Sequence, residues 1–456
     1  MAETVETVAE ATADLPEDFR FTEIGRLPEE WQVVRVGDLF EIQQGKALSP
    51  KHRRGQSLRP FLRTANVYWG RIDITKLDYM DFDDDEVKRL ALRPGDLLVC
   101  EGGDIGRTAM WEGQLPLCLF QNHLHRLRSR SADVEPAFYM YWMQAAWTLL
   151  NLYSGAGNRT TIPNLSKSRL ASFLVPFPPL NEQRAIAHVL RTIQRAKEAT
   201  EKVIIATREL KKSLMRYLFT YGPVPVEEAG RVTLKETEIG PIPEHWQVGK
   251  LGRCATIATR GRALSPQRTI SFIPMSLIPN DALYIENWEL REQKDVRSGI
   301  VVLEGDLLLA KITPSFENGK QGIVKNIPGG WGYASTEVYT IRPSSQIKSE
   351  FLALYLKNPE VRRSLASKME GTTGRKRLPK AVLMELWVPL PKLDEQQKIV
   401  QIISHIDQKI QAEEARRQAL DGLFNALLHL LMTGRIRVKD LPLPETEGVW
   451  LGASRE

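Results

Sequence analysis

The 456-residue chain has only three cysteines, Cys100, Cys118 and Cys254, with no Cys-x-x-Cys spacing among them. An odd number without that spacing excludes a disulfide framework, so all three are read as reduced, buried residues of a cytoplasmic protein. No apolar stretch approaches the roughly 20 residues that span a bilayer, which excludes a membrane-embedded role. Residues 1–20 lack the basic start and apolar run of a signal peptide; their acidic, Ala/Thr-rich composition reads as a disordered tail.

Catalytic signatures are missing too. Gly319-Lys320 has no upstream glycine at phosphate-loop spacing, and Gln321 stands where a Ser or Thr would hold magnesium. Asn122-His123-Leu124-His125 alternates as one face of a strand does, a pattern that does not require a metal. Phe177-Pro178-Pro179-Leu180 resembles the Pro-Pro of adenine methyltransferases, but the preceding Asp or Asn and the following aromatic are lacking. Asp81 to Glu86 is an acidic run without ligand spacing, read as a solvated turn. The residues therefore carry no catalytic, cofactor or metal site.

What the chain does have is repetition. Thr22-Glu23-Ile24-Gly25-Arg26-Leu27-Pro28-Glu29-Glu30-Trp31 returns at Thr237-Glu238-Ile239-Gly240-Pro241-Ile242-Pro243-Glu244-His245-Trp246. Pro176-Phe177-Pro178-Pro179-Leu180-Asn181-Glu182-Gln183 returns at Pro389-Leu390-Pro391-Lys392-Leu393-Asp394-Glu395-Gln396. A period above two hundred residues is too long for a solenoid, so each copy is a domain with its own core. Pro94-Gly95-Asp96 leads into the apolar run Leu97 to Cys100, and Gly305-Asp306 leads into Leu307 to Ala310 in the same way. Amphipathic helices are expected over Phe138–Leu152 and Phe351–Met369. The fold class is α+β: two pseudo-repeated α+β modules separated by a pair of long helices. The boundaries read as module one over 21–179, a first long helix over 180–222 and a linker over 223–245. Module two covers 246–392, a second long helix 393–434 and a C-terminal tail 435–456.

The long helices are read from a change of period. Ile186, Val189, Ile193, Ala196, Thr200, Val203, Thr207, Leu210, Leu214 and Tyr217 step by threes and fours, as do Ile399, Ile402, Ile406, Ile410, Leu420, Leu423, Leu427 and Leu430. Glu413 and Arg416 fall in the second seam, where looser packing is expected. Asn181 and Asp394 are the expected N-caps, the second completed by Gln397. The first helix has nine basic and four acidic residues, the second four and six, so opposite signs favour an antiparallel coiled coil of one with the other.

The whole chain carries a net charge of +6 and a pI near 9.0, which suits a polyanionic partner. A pseudo-symmetric binder fits duplex DNA with two half-sites. Four glycine-containing loops stand at matching places in the modules: Glu101 to Arg107, Lys311 to Lys320, Gly155 to Thr161 and Gly371 to Arg377. Glycine lets backbone amides approach phosphate, and Arg can read guanine bidentately. The expected contacts are Lys46, Arg53, Arg54, Arg63, Arg107, Asn158 and Arg159 in the first module. In the second they are Arg260, Arg262, Lys311, Lys320, Arg375, Lys376 and Arg377. Arg53, Arg54, Arg260, Arg262 and Arg268 suit phosphate holding better than base reading.

These two repeated motifs, Thr-Glu-Ile-Gly-x-x-Pro-Glu-x-Trp and Pro-Leu-x-Glu-Gln, closely resemble those of the specificity subunits of type I restriction-modification systems. The match runs from about residue 22 to 434, in the family's order, with Lys392 in place of the first copy's Pro179 as a departure. The resemblance implies two target-recognition domains gripping the halves of a bipartite, asymmetric double-stranded DNA site. It implies that the helices dock modification subunits, two of them, and that restriction/translocase subunits join. S-adenosylmethionine, ATP and Mg would then belong to the partner subunits, leaving this chain without cofactors or catalysis. The alternative left by the residues is a stand-alone DNA-binding regulator with two modules.

Overall fold

The computed structural model describes residues 18–49, 57–153, 164–258, 269–292, 296, 299–372 and 374–440. The chain divides into two compact units, Met1–Ala199 with Arg416–Glu456 and Thr200–Ala415. Each unit holds one module, the first half of one long helix and the second half of the other.

In the first unit an antiparallel sheet has the order Thr108–Met110, Leu97–Cys100, Leu124–Ser129, Phe40–Gln44. A second sheet has the order Leu119–Phe120, Leu58–Leu62, Asp78–Asp81. Leu97 to Cys100 are all buried, as a strand covered on both faces requires. The helix Pro136–Thr148 packs its Phe138, Tyr139 and Trp142 into the core. In the second unit the equivalent sheet has five strands, ordered Ala255–Ile257, Val338–Pro343, Leu307–Ala310, Gln321–Val324, Tyr284–Ile285. The expected single helix over Phe351–Met369 is instead two, Ser349–Lys357 and Pro359–Ser367. Proline lacks the amide that would continue the first helix and is at home at the start of the second.

The repeated aspartates hold the same corner in each module. Asp96, 1 % exposed, takes a two-pronged bond from Arg128 at 2.7 and 2.7 Å and a third from the Arg93 amide. Asp306, 2 % exposed, takes the same from Arg342 at 2.9 and 2.7 Å and from the Leu303 amide. A buried carboxylate is tolerated because its lone pairs are filled this way. The cysteines are free and buried, and burial pushes the Cys100 thiol up to about 11 and the Cys118 thiol up to about 12. Neither is a thiolate at neutral pH, so neither is a nucleophile.

The long helices run Leu180–Tyr221 and Leu393–Met432, each starting one residue before the expected cap. Within the first unit Glu182 pairs with Arg437 and Lys197 with Asp421 at 2.7 Å; within the second Arg208 pairs with Glu414 and Lys211 with Asp407. Rising numbers on one helix meet falling numbers on the other, so the pairing is antiparallel in each unit. Its register differs in part from the expected seam. Ile186, Val189, Ile193 and Ile399 are buried, but Val203 is 40 %, Leu210 56 % and Leu423 47 % exposed. Leu214, Ile402, Ile406, Leu420 and Leu427 are half-buried, and Arg416 is exposed. The buried positions keep the three-and-four step but shift by one residue: Ile204, Met215 and Leu218 take the place of Val203, Leu214 and Tyr217 on the first helix, and Ile403, Ile410, Phe424 and Leu431, spaced by seven, fourteen and seven, line the second. Ile204→Asp should therefore cost several kcal/mol, roughly, for an unpaired buried charge, and Val203→Asp within about 0.5 kcal/mol. Chemical denaturation of the two variants checks the register; equal losses would restore Val203 to the seam.

The expected disordered tail overlaps structure at its end: Phe19–Thr22 is a strand paired with Gly25–Pro28. Residues 1–17 and 441–456 lie outside the described residues. Among the described residues no helix is long and apolar enough to cross a membrane.

Candidate nucleic-acid interface

The residues of the two repeated motifs are one another's partners. Trp31 is fully buried, and its indole N–H donates to Glu182 Oε2 at 3.0 Å; Trp246, equally buried, donates to Glu395 Oε1 at 3.2 Å. Gln183 donates to the carbonyls of Pro178 at 2.8 Å and Asp133 at 3.1 Å and accepts from the Glu135 amide at 2.9 Å. Gln396 donates to Pro391 and Gln346, both at 2.9 Å, and accepts from the Lys348 amide at 2.8 Å. Each long helix is thus tied at its first turn to a module by an identical set of bonds. The far end of the other helix arrives at the same tryptophan. Gly434, at φ +67°, lies where an added Cβ would come 2.4 Å from Pro28 Cγ, and Gly222, at φ +80°, lies against Trp246 and Pro243. Arg437 reaches Glu182 and Glu30 in the first unit, and His245 reaches Glu395 at 3.0 Å in the second. Glu182 raises the Arg437 pKa through its hydrogen bond.

On this shared frame the loops differ. In the second unit the structure brings two of the expected loops together. Glu370–Thr372 and Arg375–Arg377 form a hairpin whose Arg375, Lys376 and Arg377 are all exposed. It is joined to the loop after Leu307–Ala310 by the Thr313 amide on the Lys376 carbonyl at 3.0 Å and the Leu378 amide on the Lys311 carbonyl at 2.8 Å. Arg377 pairs with Glu337 at 2.7 Å, and Lys311 lies over the Tyr339 ring at 5.2 Å. Arg375 and Lys376 project from a strand pair braced on its neighbour, a fixed mount for two cations. In the first unit the equivalent join is the Leu165 amide on the Glu101 carbonyl at 2.8 Å. His125 Nε2 meets the Leu165 carbonyl at 2.8 Å, where the second unit has the Tyr339 hydroxyl on the Leu378 carbonyl at 2.7 Å. Burial lowers the His125 pKa, so this histidine is a neutral strut.

Several expected contacts face the protein. Arg107 donates to the Thr64 carbonyl at 3.0 Å and pairs with Asp104; Lys320 donates to the Met275 carbonyl at 2.8 Å and to Ile278 at 3.1 Å. The two are equivalent: each pins the short helical turn, Thr64–Asn66 or Met275–Leu277, that crosses behind its loop. A cation kept in both modules for one internal bond belongs to the frame. Lys46 is likewise committed to Glu86 and the Asp81 carbonyl, with its side chain 13 % exposed, and Arg63 pairs with Asp78 at 2.9 Å. Arg53, Arg54, Asn158, Arg159, Arg260, Arg262 and Arg268 lie outside the described residues. Among the described residues no group of three or more His, Cys, Asp or Glu could hold a metal ion.

One feature that composition and spacing do not reveal is Tyr68, on the hairpin Val67–Tyr68 and Arg71–Ile72. Its ring lies 4.7 Å from the Arg71 guanidinium and 5.5 Å from that of Arg107, and it is 38 % exposed. The run Tyr68-Trp69-Gly70-Arg71, an aromatic pair with a turn and a cation, is the only signal of it in the sequence.

The family model for the type I restriction modification DNA specificity domain matches the chain twice, over residues 28–207 and 243–421. The type I restriction enzyme MjaVIII specificity subunit of Methanocaldococcus jannaschii is 24% identical over 423 residues, 91% of this chain and 95% of that one. The EcoAI specificity subunit of Escherichia coli is 34% identical over 196 residues, 42% of this chain and 33% of its own length. The crystal structure of the S subunit of a type I restriction-modification system from M. genitalium superposes with a TM-score of 0.56. It is 16% identical and the match covers 92% of this chain and 98% of that one. A chain from structures of the assembly and conformational transition of a type I R-M system gives 0.53 at 16% identity, over 90% and 99%.

Proposed function

This chain belongs to the type I restriction modification DNA specificity family, and on that premise we propose that it reads a bipartite, asymmetric duplex DNA target, one half-site per module. The observation that supports this most is an unchanging frame with changing loops. The tryptophan, glutamate, glutamine and aspartate bonds recur in both units, whereas Glu101 to Arg107 and Lys311 to Lys320 share little beyond one glycine followed by an inward cation. Two such frames hold different reading surfaces, as two unlike half-sites require.

In this reading the exposed hairpin cations Arg375 and Lys376 read or grip the second half-site. The paired long helices, as an antiparallel coiled coil, fix the separation of the half-sites and carry two modification subunits and the restriction/translocase subunits. Methylation of DNA is the partners' chemistry: S-adenosylmethionine, ATP and Mg are held by them, and this chain contributes recognition and assembly in the cytoplasm. A target adenine must leave the duplex to reach a partner's active site, at a cost of a few kcal/mol, roughly, which binding by both modules would offset.

The test is binding-site selection on the complex of this chain with its modification subunit. The wild type should return two unlike half-sites at fixed spacing. Arg375→Ala with Lys376→Ala should relax or weaken the second half-site, by about 1–3 kcal/mol for each base that the pair reads, and leave the first intact. Equal losses on every sequence would make the hairpin a phosphate grip only. Tight, specific binding by the chain without any partner would favour the stand-alone regulator.

A further inference from the structure

We propose that the first unit carries a second DNA surface, a basic track on the side of the long helix that grips duplex phosphates beside the first half-site without reading sequence. It rests on the DNA-reading function above and extends it from the loops to the helix. Arg184, His188, Arg191 and Arg195 follow one another at steps of four, three and four along Leu180–Tyr221. That spacing keeps them on one helix face over about 16 Å, at about 1.5 Å per residue. They are not the residues that pair the helices in this unit, where Lys197 holds Asp421 and Arg437 holds Glu182.

The track joins the module. Arg191 and Arg195 line a cavity of about 170 Å³ together with Arg71, Met110, Glu112 and Gln194. Arg71 in turn lies over Tyr68, whose ring also meets Arg107 of the first recognition loop. Although Arg107 itself is turned inward, Tyr68 and Arg71 carry exposed aromatic and cationic surface from the edge of that loop to the helix, and this continuity selects DNA as the occupant. Three acidic groups stand beside the four arginines: Glu112 is 4.0 Å from Arg191, Glu135 is 3.8 Å from Arg184, and Glu198, which also lines the cavity, accepts from Gln194. Burial lowers the pKa of His188, and Arg191 and Arg195 lower it further, which marks the local field as positive. A straight run of about 16 Å matches several phosphates of one strand, at about 3.4 Å of rise each.

The experiment uses the full chain in complex with its modification subunit, and compares the selected target with a scrambled duplex of equal length over a range of salt. Arg191→Ala with Arg195→Ala should weaken both duplexes alike, roughly tenfold, and lower the salt slope by about 2, one for each phosphate no longer neutralised. Arg191→Lys with Arg195→Lys should restore the slope. Arg71→Ala, outside the helix, should give about half the effect and serves if the helix variant does not fold. Unchanged affinity and slope would overturn the track. So would loss of the modification subunit with DNA binding otherwise intact, since the face would then dock protein. A loss confined to the specific duplex would make these residues readers and overturn it as well. If the wild-type complex itself selects no bipartite site, the functional reading fails; if it does and the variants match it, only the track fails.

Discussion

Trp246→Ala in the second unit should cost about 3–5 kcal/mol of stability, and Trp31→Ala in the first about as much. Each ring is completely buried between a module and the first turn of a long helix. The loss has two parts that a second substitution separates. Trp246→Phe keeps most of the apolar packing but leaves Glu395 without the indole donor, at about 1–3 kcal/mol for a buried bond to a charged group. His245 still reaches Glu395, and Arg437 still reaches Glu182, so neither carboxylate is stripped of every partner. Urea unfolding followed by circular dichroism measures both variants. A loss below about 1 kcal/mol for either alanine would mean that the repeated tryptophan is not a lock between module and helix.

That lock also shows which parts of the molecule are legible in the sequence. Repetition locates the two modules, the turn before Leu97 and its copy before Leu307, and the two helices, because each follows from local chemistry: a glycine turn, an apolar run, a helical period. It does not say why Trp31 and Glu182, or Trp246 and Glu395, recur, since partners 151 and 149 residues apart in the chain are invisible until the fold joins them. The loops are found by composition, but their direction is not. Arg107 and Lys320 look like reading residues because charge is visible in sequence and the carbonyl they bind is not. Arg375 and Lys376 have the same composition and the opposite disposition, exposed on a braced hairpin. The seam is misplaced in part for a geometric reason: beyond Thr200 either Val203 or Ile204 continues the three-and-four step, and only packing against the other helix selects Ile204.

The pseudo-repeat predicts what half of the chain should do alone. Residues 1–222 contain module one and the first helix, so two copies can pair if each helix end occupies the place that the second helix takes in the first unit. That place receives Phe424, Leu428, Leu431 and Met432. The 213-residue offset relating Glu182 to Glu395 and Gln183 to Gln396 sets Lys211, Met215, Leu218 and Phe219 in the same positions. The last three are apolar and buried in just this way in the second unit. Lys211 is the misfit, replacing a phenylalanine that touches Tyr141 and lies under Lys197. The same offset replaces Asp421, the partner of Lys197 at 2.7 Å, with Arg208. The fragment should therefore form a weak symmetric dimer that tightens with salt, as added ions screen Lys197 from Arg208. Arg208→Asp with Lys211→Phe restores the missing pair and the missing ring in both halves. At about 1.5–3 kcal/mol for each buried phenylalanine, two per dimer, association should tighten roughly a hundredfold or more. Sedimentation equilibrium of the parent and double-variant fragments checks this, and site selection on the tightened dimer with its modification subunit should return the first half-site twice, as a palindrome. A parent fragment that already dimerises as tightly as the variant, at low salt, would show that the halves do not pair by this equivalence.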